Sequence, residues 1–189
     1  IFSGHKMCGP TGIGVLYGKA ELLKVLPPSI FGGGIVEEVS LQEAKWSSAP
    51  GKFEAGTPNI AGVIGLGEAV TYLEGIGVEN IHEYVSELTG YAIEEFGKRR
   101  GIKMFTQKDA DKNIGIVAFS VEGIHPHDIA DIAGRKGVAI RAGHHCAQPL
   151  MKELGVVALA RASFYLYNNK SDVDALVRAI KKAQELFKK

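Results

Sequence analysis

From residue 102 onward, short apolar runs alternate with amphipathic stretches in a fixed order. That order limits the fold more than any other feature of the chain. Residues 102–106, 114–121, 138–141 and 159–167 read as strands, rich in β-branched and aromatic side chains. Between them, residues 126–136 read as a helix opened by Pro126 and stopped by Gly137. The chain closes on a helix from Ser171, where Asp174 three residues on resembles a capping box. Val173, Leu176, Val177 and Ile180 give that helix one apolar face, and its end is Lys-rich, as the helix dipole prefers. The order β-β-α-β-β-α predicts a small α+β sandwich, with helices packed on one sheet.

Upstream the pattern differs. A strand ends near residue 3, and the turn Cys8-Gly9-Pro10-Thr11-Gly12 leads into an apolar strand over 13–17. Pro27-Pro28 and Gly32-Gly33-Gly34 interrupt the next stretch. Residues 35–56 read as irregular apart from one strand near 36–41. Thr57-Pro58 then predicts a helix start, with Thr as N-cap and Pro as first helical residue. Val63, Ile64, Leu66, Val70 and Leu73 fall mostly on one face, among Ala61, Gly62, Gly65, Gly67 and Ala69. Each glycine weakens an isolated helix by up to about 1 kcal/mol, so these small residues predict a buried helix close against another backbone. A second helix is expected over 78–99, with Ile81, Val85, Leu88, Ala92 and Phe96 at a period of 3.6 and Gly101 ending it.

The composition excludes several classes. Among 189 residues, Lys plus Arg is 22 and Asp plus Glu is 21, a net charge of +1. That balance argues against nucleic-acid binding by bulk charge. Hydrophobic residues make up 46% and charged residues 23%, so a globular fold is expected rather than disorder. No apolar run is long enough to span a bilayer, so no membrane role is implied. The two cysteines, Cys8 and Cys146, stand far apart in dissimilar contexts. They make no disulfide framework and fit a reducing, cytoplasmic setting. The chain opens Ile1-Phe2-Ser3 with no Met and no signal pattern, as if cut inside a strand, so a fragment of a longer protein is expected.

Four segments hold residues suited to chemistry. In Ser3-Gly4-His5-Lys6, a lysine at a strand end beside a tight turn can be held from bulk water, which frees its amine to attack a carbonyl. Ser3 and His5 could bind phosphate. The alternative is a glycine turn with a solvated lysine; a Walker A loop does not fit, because Lys precedes the glycines. In Arg141-Ala142-Gly143-His144-His145-Cys146-Ala147-Gln148-Pro149, a lone cysteine follows a strand, with cations at hand to favour a thiolate. The alternatives are a small buried residue or a zinc ligand joined by His125 and His127. Adjacent strand residues point to opposite faces, which disfavours zinc, so no metal is expected. Arg161, charged among apolar neighbours, suits either a substrate carboxylate or an internal salt bridge. Thr57, in Phe53-Glu54-Ala55-Gly56-Thr57-Pro58-Asn59, is either an anion site or a simple cap.

Taken in order, these motifs resemble the class V aminotransferase-fold enzymes. Arg141-x-Gly143-His144-His145-Cys146-Ala147-x-Pro149-Leu150, with Gly56-Thr57-Pro58-Asn59 and Arg161-Ala162-Ser163, narrows the resemblance to the SufS-type (group II) cysteine desulfurases and their kin the selenocysteine lyases. The resemblance covers the whole chain. It implies the C-terminal part of a pyridoxal-phosphate (PLP) fold-type I enzyme, mixed α/β and α+β. Residues 1–75 would end the large cofactor-binding domain, 76–101 would be a linking helix, and 102–189 the small α+β domain. It implies pyridoxal 5'-phosphate carried by Lys6, with Ser3 and His5 on its phosphate and Thr57 reaching a phosphate across a homodimer interface. Cys146 would take sulfur from L-cysteine as a persulfide, leaving alanine; Arg161 would hold the substrate carboxylate, and Arg141 lie near the cysteine. Sulfur would then pass to a separate acceptor protein of SufE/SufU type for iron-sulfur cluster assembly. Relatives carry a further N-terminal half that completes the cofactor pocket, so this stretch alone is expected to be inactive. Cys8 and Lys52 depart from the family, where an aromatic and an Arg are common. The rival readings are a selenocysteine lyase, a kynureninase-like hydrolase, and a non-catalytic dimerisation or docking domain.

Overall fold

The chain begins with a hairpin so short that glycine has to make it. In the computed structural model, which describes residues 1–188, strand β1 (Phe2–Ser3) pairs antiparallel with β2 (Gly14–Val15), Ser3 opposite Gly14. A Cβ on Gly14 would lie 2.6 Å from the Phe2 carbonyl oxygen, so no larger residue fits that register. Between the strands, the 3-10 turn Gly4–Lys6 is closed by Gly4 N–H donating to Ile13 O (2.8 Å) and Gly9 N–H donating to Gly4 O (2.9 Å).

These residues open the first of two units, Ile1–Ile76; the second runs from Gly77. Within the first, a short helix α1 (Ala20–Val25) precedes a second hairpin, β3 (Val36–Val39) with β4 (Ala44–Trp46). The stretch 35–56 therefore holds two strands where the sequence indicates one. Ala44 and Lys45 carry no strand-like apolar pattern, and pairing with β3 decides their conformation. The 3-10 turn Gly51–Phe53 follows. Its Lys52 is buried, and Nζ donates to the Lys24 carbonyl at 2.9 Å, tying the turn to the end of α1.

Helix α2 spans Ile60–Ile76. Its cap is Asn59, whose Oδ1 accepts the Gly62 N–H at 3.0 Å, and not Thr57. Asn caps at least as well as Thr, and it stands next to the first helical turn, which starts two residues beyond Pro58. The buried stripe is Gly62, Leu66, Ala69 and Leu73, while Ile60, Val63 and Ile64 are exposed. The helix is thus buried on one side only. On that side a Cβ on Gly65 would stand 3.1 Å from the Pro10 ring, a side chain and not the backbone that the small residues predict, and nothing lies within 4 Å of a Cβ on Gly67 or Gly75. α2 therefore packs against the turn that carries Lys6.

The second unit begins with α3 (Val78–Gly97), whose buried face includes Ile81, Val85, Leu88, Ala92 and Phe96. A four-stranded antiparallel sheet follows, in the order β5 (Ile102–Met104), β6 (Ile116–Val121), β8 (Leu159–Ser163), β7 (Arg141–Gly143). Helix α4 (Pro126–Gly134) joins β6 to β7, and α6 (Lys170–Phe187) closes the chain. A six-residue helix, α5 (Gln148–Glu153), lies between β7 and β8. Pro149 in its first turn fixes a helical φ there. The capping box of α6 is Asn169 with Asp172, two residues upstream of Ser171 and Asp174. Asp174 instead accepts from the Tyr91 hydroxyl at 2.8 Å, linking α6 to α3.

The core of this unit lies between the sheet and these helices. Val117, Phe119 and Val121 alternate inward along β6, opposite Ala160 and Ala162 of β8. Phe96 of α3 meets Phe119 edge-on at 4.9 Å between ring centres. Small residues on β8 leave room for these rings. Ile116, Ala118 and Ser120 point to the other face of the sheet, as do Leu159, Arg161 and Ser163. The candidate chemistry of the second unit sits on that face.

Candidate active site

Arg141 opens β7, and its Cα partner across the ladder is Arg161 of β8. Two cations directly opposite each other on one sheet face repel. Arg161 is half-buried, and its Nε is buried without a partner. Among the described residues neither arginine forms an ion pair with a carboxylate, so of the two roles left open for Arg161 the internal salt bridge is not made. A planar anion of one or two carboxylate oxygens would relieve both the repulsion and the unmatched donor.

Beyond β7 the chain reverses. Ala147 N–H donates to His144 O at 2.9 Å and closes a four-residue turn. Both central residues are left-handed, His145 at φ 56° and Cys146 at φ 59°. Positive φ at both centres marks a type I′ turn, which favours Gly or Asn. Each non-glycine residue held this way costs on the order of 1–3 kcal/mol. The consequence is exposure: the Cys146 thiol stands free of the protein interior. Arg141 reaches back across the turn, and its Nη2 donates to Cys146 Sγ at 3.2 Å. His144, His145, Cys146 and Gln148 line a cleft of about 490 Å³ with Arg141.

The two histidines do different things. His144 is exposed, with Nδ1 3.4 Å from the Gln148 amide. His145 turns under the loop, its Nε2 2.9 Å from the carbonyl oxygen of Leu159 on β8. A carbonyl only accepts, so Nε2 carries the hydrogen and Nδ1 is the bare nitrogen. That nitrogen is buried without a partner. Burial holds His145 below its ordinary pKa of 6.5, and the charges of Arg161 and Arg141 act the same way, against the bond that Nε2–H donates to Leu159 O. The ring is therefore neutral at pH 7. The pair lies on a turn, not on a strand, so the strand-alternation argument about zinc does not apply to it. Among the described residues no three of His, Cys, Asp and Glu gather as a metal site.

In the first unit, Lys6 ends the 3-10 turn and is exposed, as the solvated alternative has it. Ser3 and His5 line a shallow depression of about 520 Å³ with Gly12 and Gly14. Thr57 is exposed just ahead of α2. Cys8, at φ 63°, is exposed on the same turn as Lys6. A depression of about 720 Å³ lies at the C-terminal ends of α3 and α6 and is lined by none of these residues. Sequence reasoning did not find the anchoring role of His145 or the cap at Asn59. The histidine gives no periodic signal, because its partner is a backbone carbonyl fourteen positions away in sequence.

The Aminotransferase class-V family matches residues 1–176, and the chain belongs to it. Within it, the chain is 54% identical over 186 residues to a protein of Staphylococcus aureus strain COL called a probable cysteine desulfurase. The match covers 98% of this chain and 45% of that one, so the chain spans about half the length of the curated relatives it matches. The fold agrees with the cysteine desulfurase CsdA of Escherichia coli at a TM-score of 0.90 and 47% identity, over 99% of this chain and 46% of that one. It agrees with a cysteine desulfurase of Thermococcus onnurineus NA1 at 0.88 and 40% identity, over 98% and 46%. A cystine C-S lyase, C-DES, matches at 0.75 but only 20% identity, and shows the fold alone. The fold is that of the C-terminal part of the fold-type I enzymes, as expected.

Proposed function

We propose that this chain is the C-terminal part of a cysteine desulfurase that moves the sulfur of L-cysteine to Cys146 and leaves L-alanine. The observation that carries the reading is the second-unit site: an exposed thiol on a strained turn, held by Arg141 beside an unpaired Arg161. In the overall change the Cβ–S bond of cysteine breaks and an S–S bond forms at Cys146 Sγ. Cβ gains one hydrogen, so thiol plus cysteine becomes persulfide plus alanine.

The chain's own residues fit pyridoxal 5'-phosphate. Lys6 offers an exposed amine, without an ion pair among the described residues, for the cofactor aldehyde. Ser3 and His5 share one depression and offer a hydroxyl and an imidazole for its phosphate. When bound, the cofactor supplies an electron sink for negative charge developing on the substrate. Lys6 then serves as the acid and base that moves the proton at the substrate Cα and Cβ. Arg161 binds the substrate carboxylate through its fork of N–H donors. Arg141 holds Sγ in place through the hydrogen bond from Nη2. Thr57 gives its hydroxyl to a phosphate in a second copy of the chain, so the working form is a homodimer. A sulfur-acceptor protein takes the persulfide, which Cys146 presents at the surface. Two exposed free cysteines fit a reducing, cytoplasmic setting.

The test uses the full-length protein with pyridoxal phosphate. Cofactor absorbance lost in Lys6→Ala, and an L-cysteine-dependent persulfide on Cys146 lost in Cys146→Ala, are the expected results. Selenocysteine turnover that survives Cys146→Ala at full rate, with no cysteine turnover in the wild type, would identify a selenocysteine lyase instead. Binding of an acceptor protein without any turnover would leave a docking domain.

A further inference from the structure

We infer that His145 is the positioning residue for Cys146, a latch that holds the reactive turn in a shape its own backbone does not favour. This rests on the reading of Cys146 as the sulfur-accepting thiol.

The turn needs a support outside itself. His145 and Cys146 are both left-handed without being Gly or Asn, and the single backbone bond that closes the turn, Ala147 N–H to His144 O, forms equally in turns with ordinary φ. A strained backbone persists only where its surroundings over-determine it. Two side-chain contacts do so here. One is Arg141 Nη2 on Cys146 Sγ, a contact between flexible, exposed groups. The other is His145 Nε2 on the Leu159 carbonyl. Leu159 begins β8, whose residues Leu159 and Ala160 are buried, so the acceptor is part of the rigid sheet. Leu159 is also the Cα partner of Gly143, at the end of β7, so the strand leading into the turn and the ring beneath it share one support.

The chemistry of the ring suits this task. Nε2–H donates to an acceptor that cannot change its state, so the tautomer is fixed. Nδ1 is buried with no donor facing it, so it does not compete by drawing the ring elsewhere. A neutral ring also adds no third cation to the Arg141–Arg161 face. The side chain thus supplies a directional tie and no charge. Without it, the central residues can relax to negative φ, which swings Sγ away from Arg141 and from the cleft.

Three substitutions separate this role from a simple backbone preference. His145→Gly removes the tie and the strain at position 145, while Cys146 stays left-handed. His145→Ala removes only the tie. His145→Gln restores an N–H donor of similar reach. The measurements are amide hydrogen exchange over residues 144–148 and steady-state desulfuration, both on the full-length protein with pyridoxal phosphate. Exchange in the buried strand β6 and circular dichroism report whether each variant is folded. The latch predicts that Ala raises exchange across the turn about tenfold, the scale of one lost hydrogen bond, that Gly raises it less because its backbone accepts positive φ, and that Gln stays within about twofold of wild type. It predicts kcat lower by about 10–100-fold in Ala and by less in Gly, with KM for L-cysteine within about threefold, because the carboxylate site at Arg161 is untouched. Wild-type protection in the Ala variant would overturn the latch, since a strained backbone without the tie would then hold the turn by itself. A Gln variant no better protected than Ala would overturn it as well. If the wild type forms no persulfide on Cys146, the desulfurase reading fails, and the exchange data still decide the latch.

Discussion

Arg161 and His145 show how much a single side chain can decide. Arg161 sits in a strand, half-buried, with an unmatched Nε and a second arginine opposite. A point charge cannot replace its fork, so Arg161→Lys should raise KM for L-cysteine by about tenfold, and Arg161→Ala by more, as measured by steady-state kinetics. His145 predicts a pH effect on stability. Its folded pKa lies below 6.5, so as pH falls through that value the unfolded chain takes up a proton that the folded chain refuses. The unfolded state then binds more protons, and stability drops as pH falls through the window, levelling off below the folded pKa. The difference in urea midpoint between wild type and His145→Gln should therefore change in that direction between pH 7.5 and 5.5, about one unit to either side of the ordinary histidine value.

At the scale of elements, the sheet of the second unit depends on one residue in the loop before β6. Asn113 is 4% exposed. Its Nδ2 donates to Thr106 Oγ1, Gln107 O and Ile116 O, and its Oδ1 accepts the Ile116 N–H. The Asn113→Ala variant should lose about 2–3 kcal/mol, because buried backbone groups are left unpaired; thermal unfolding measures it. The apolar period of α3 and the existence of the strand at β6 were plain in the sequence, since burial selects the apolar residues that mark them. The short elements were not. α5 and β4 are too brief for a period, and their conformations come from Pro149 and from pairing with β3. The caps at Asn59 and Asn169 were missed for a related reason. Several Ser, Thr, Asn and Asp residues stand near each helix start, and only the geometry selects one.

At the scale of the whole molecule, the two units differ in what they bury. The continuous apolar core, from Leu88 to Ala183, belongs to the second. The first buries few apolar side chains, Ile35, Leu66, Ala69 and Leu73 among them, and leaves Leu16, Tyr17, Ile30 and Phe31 exposed. In the 189-residue chain alone, amides of β6, β8 and α6 should exchange slowest and those before α2 fastest. Equal protection in both units would contradict this. No single helix is long and apolar enough among the described residues to cross a membrane.

The identity of the chemical groups was written in the sequence itself: a lysine beside a glycine turn, a cysteine after paired histidines, an arginine in an apolar strand. Residue type fixes what an amine, a thiol or a guanidinium can do. Which of them is strained, unpaired or anchored depended on contacts between distant segments. Register set Arg141 opposite Arg161, and β8 offered Leu159 O to His145. Such pairings arise only when strands far apart in the chain are brought side by side, and no local pattern encodes them.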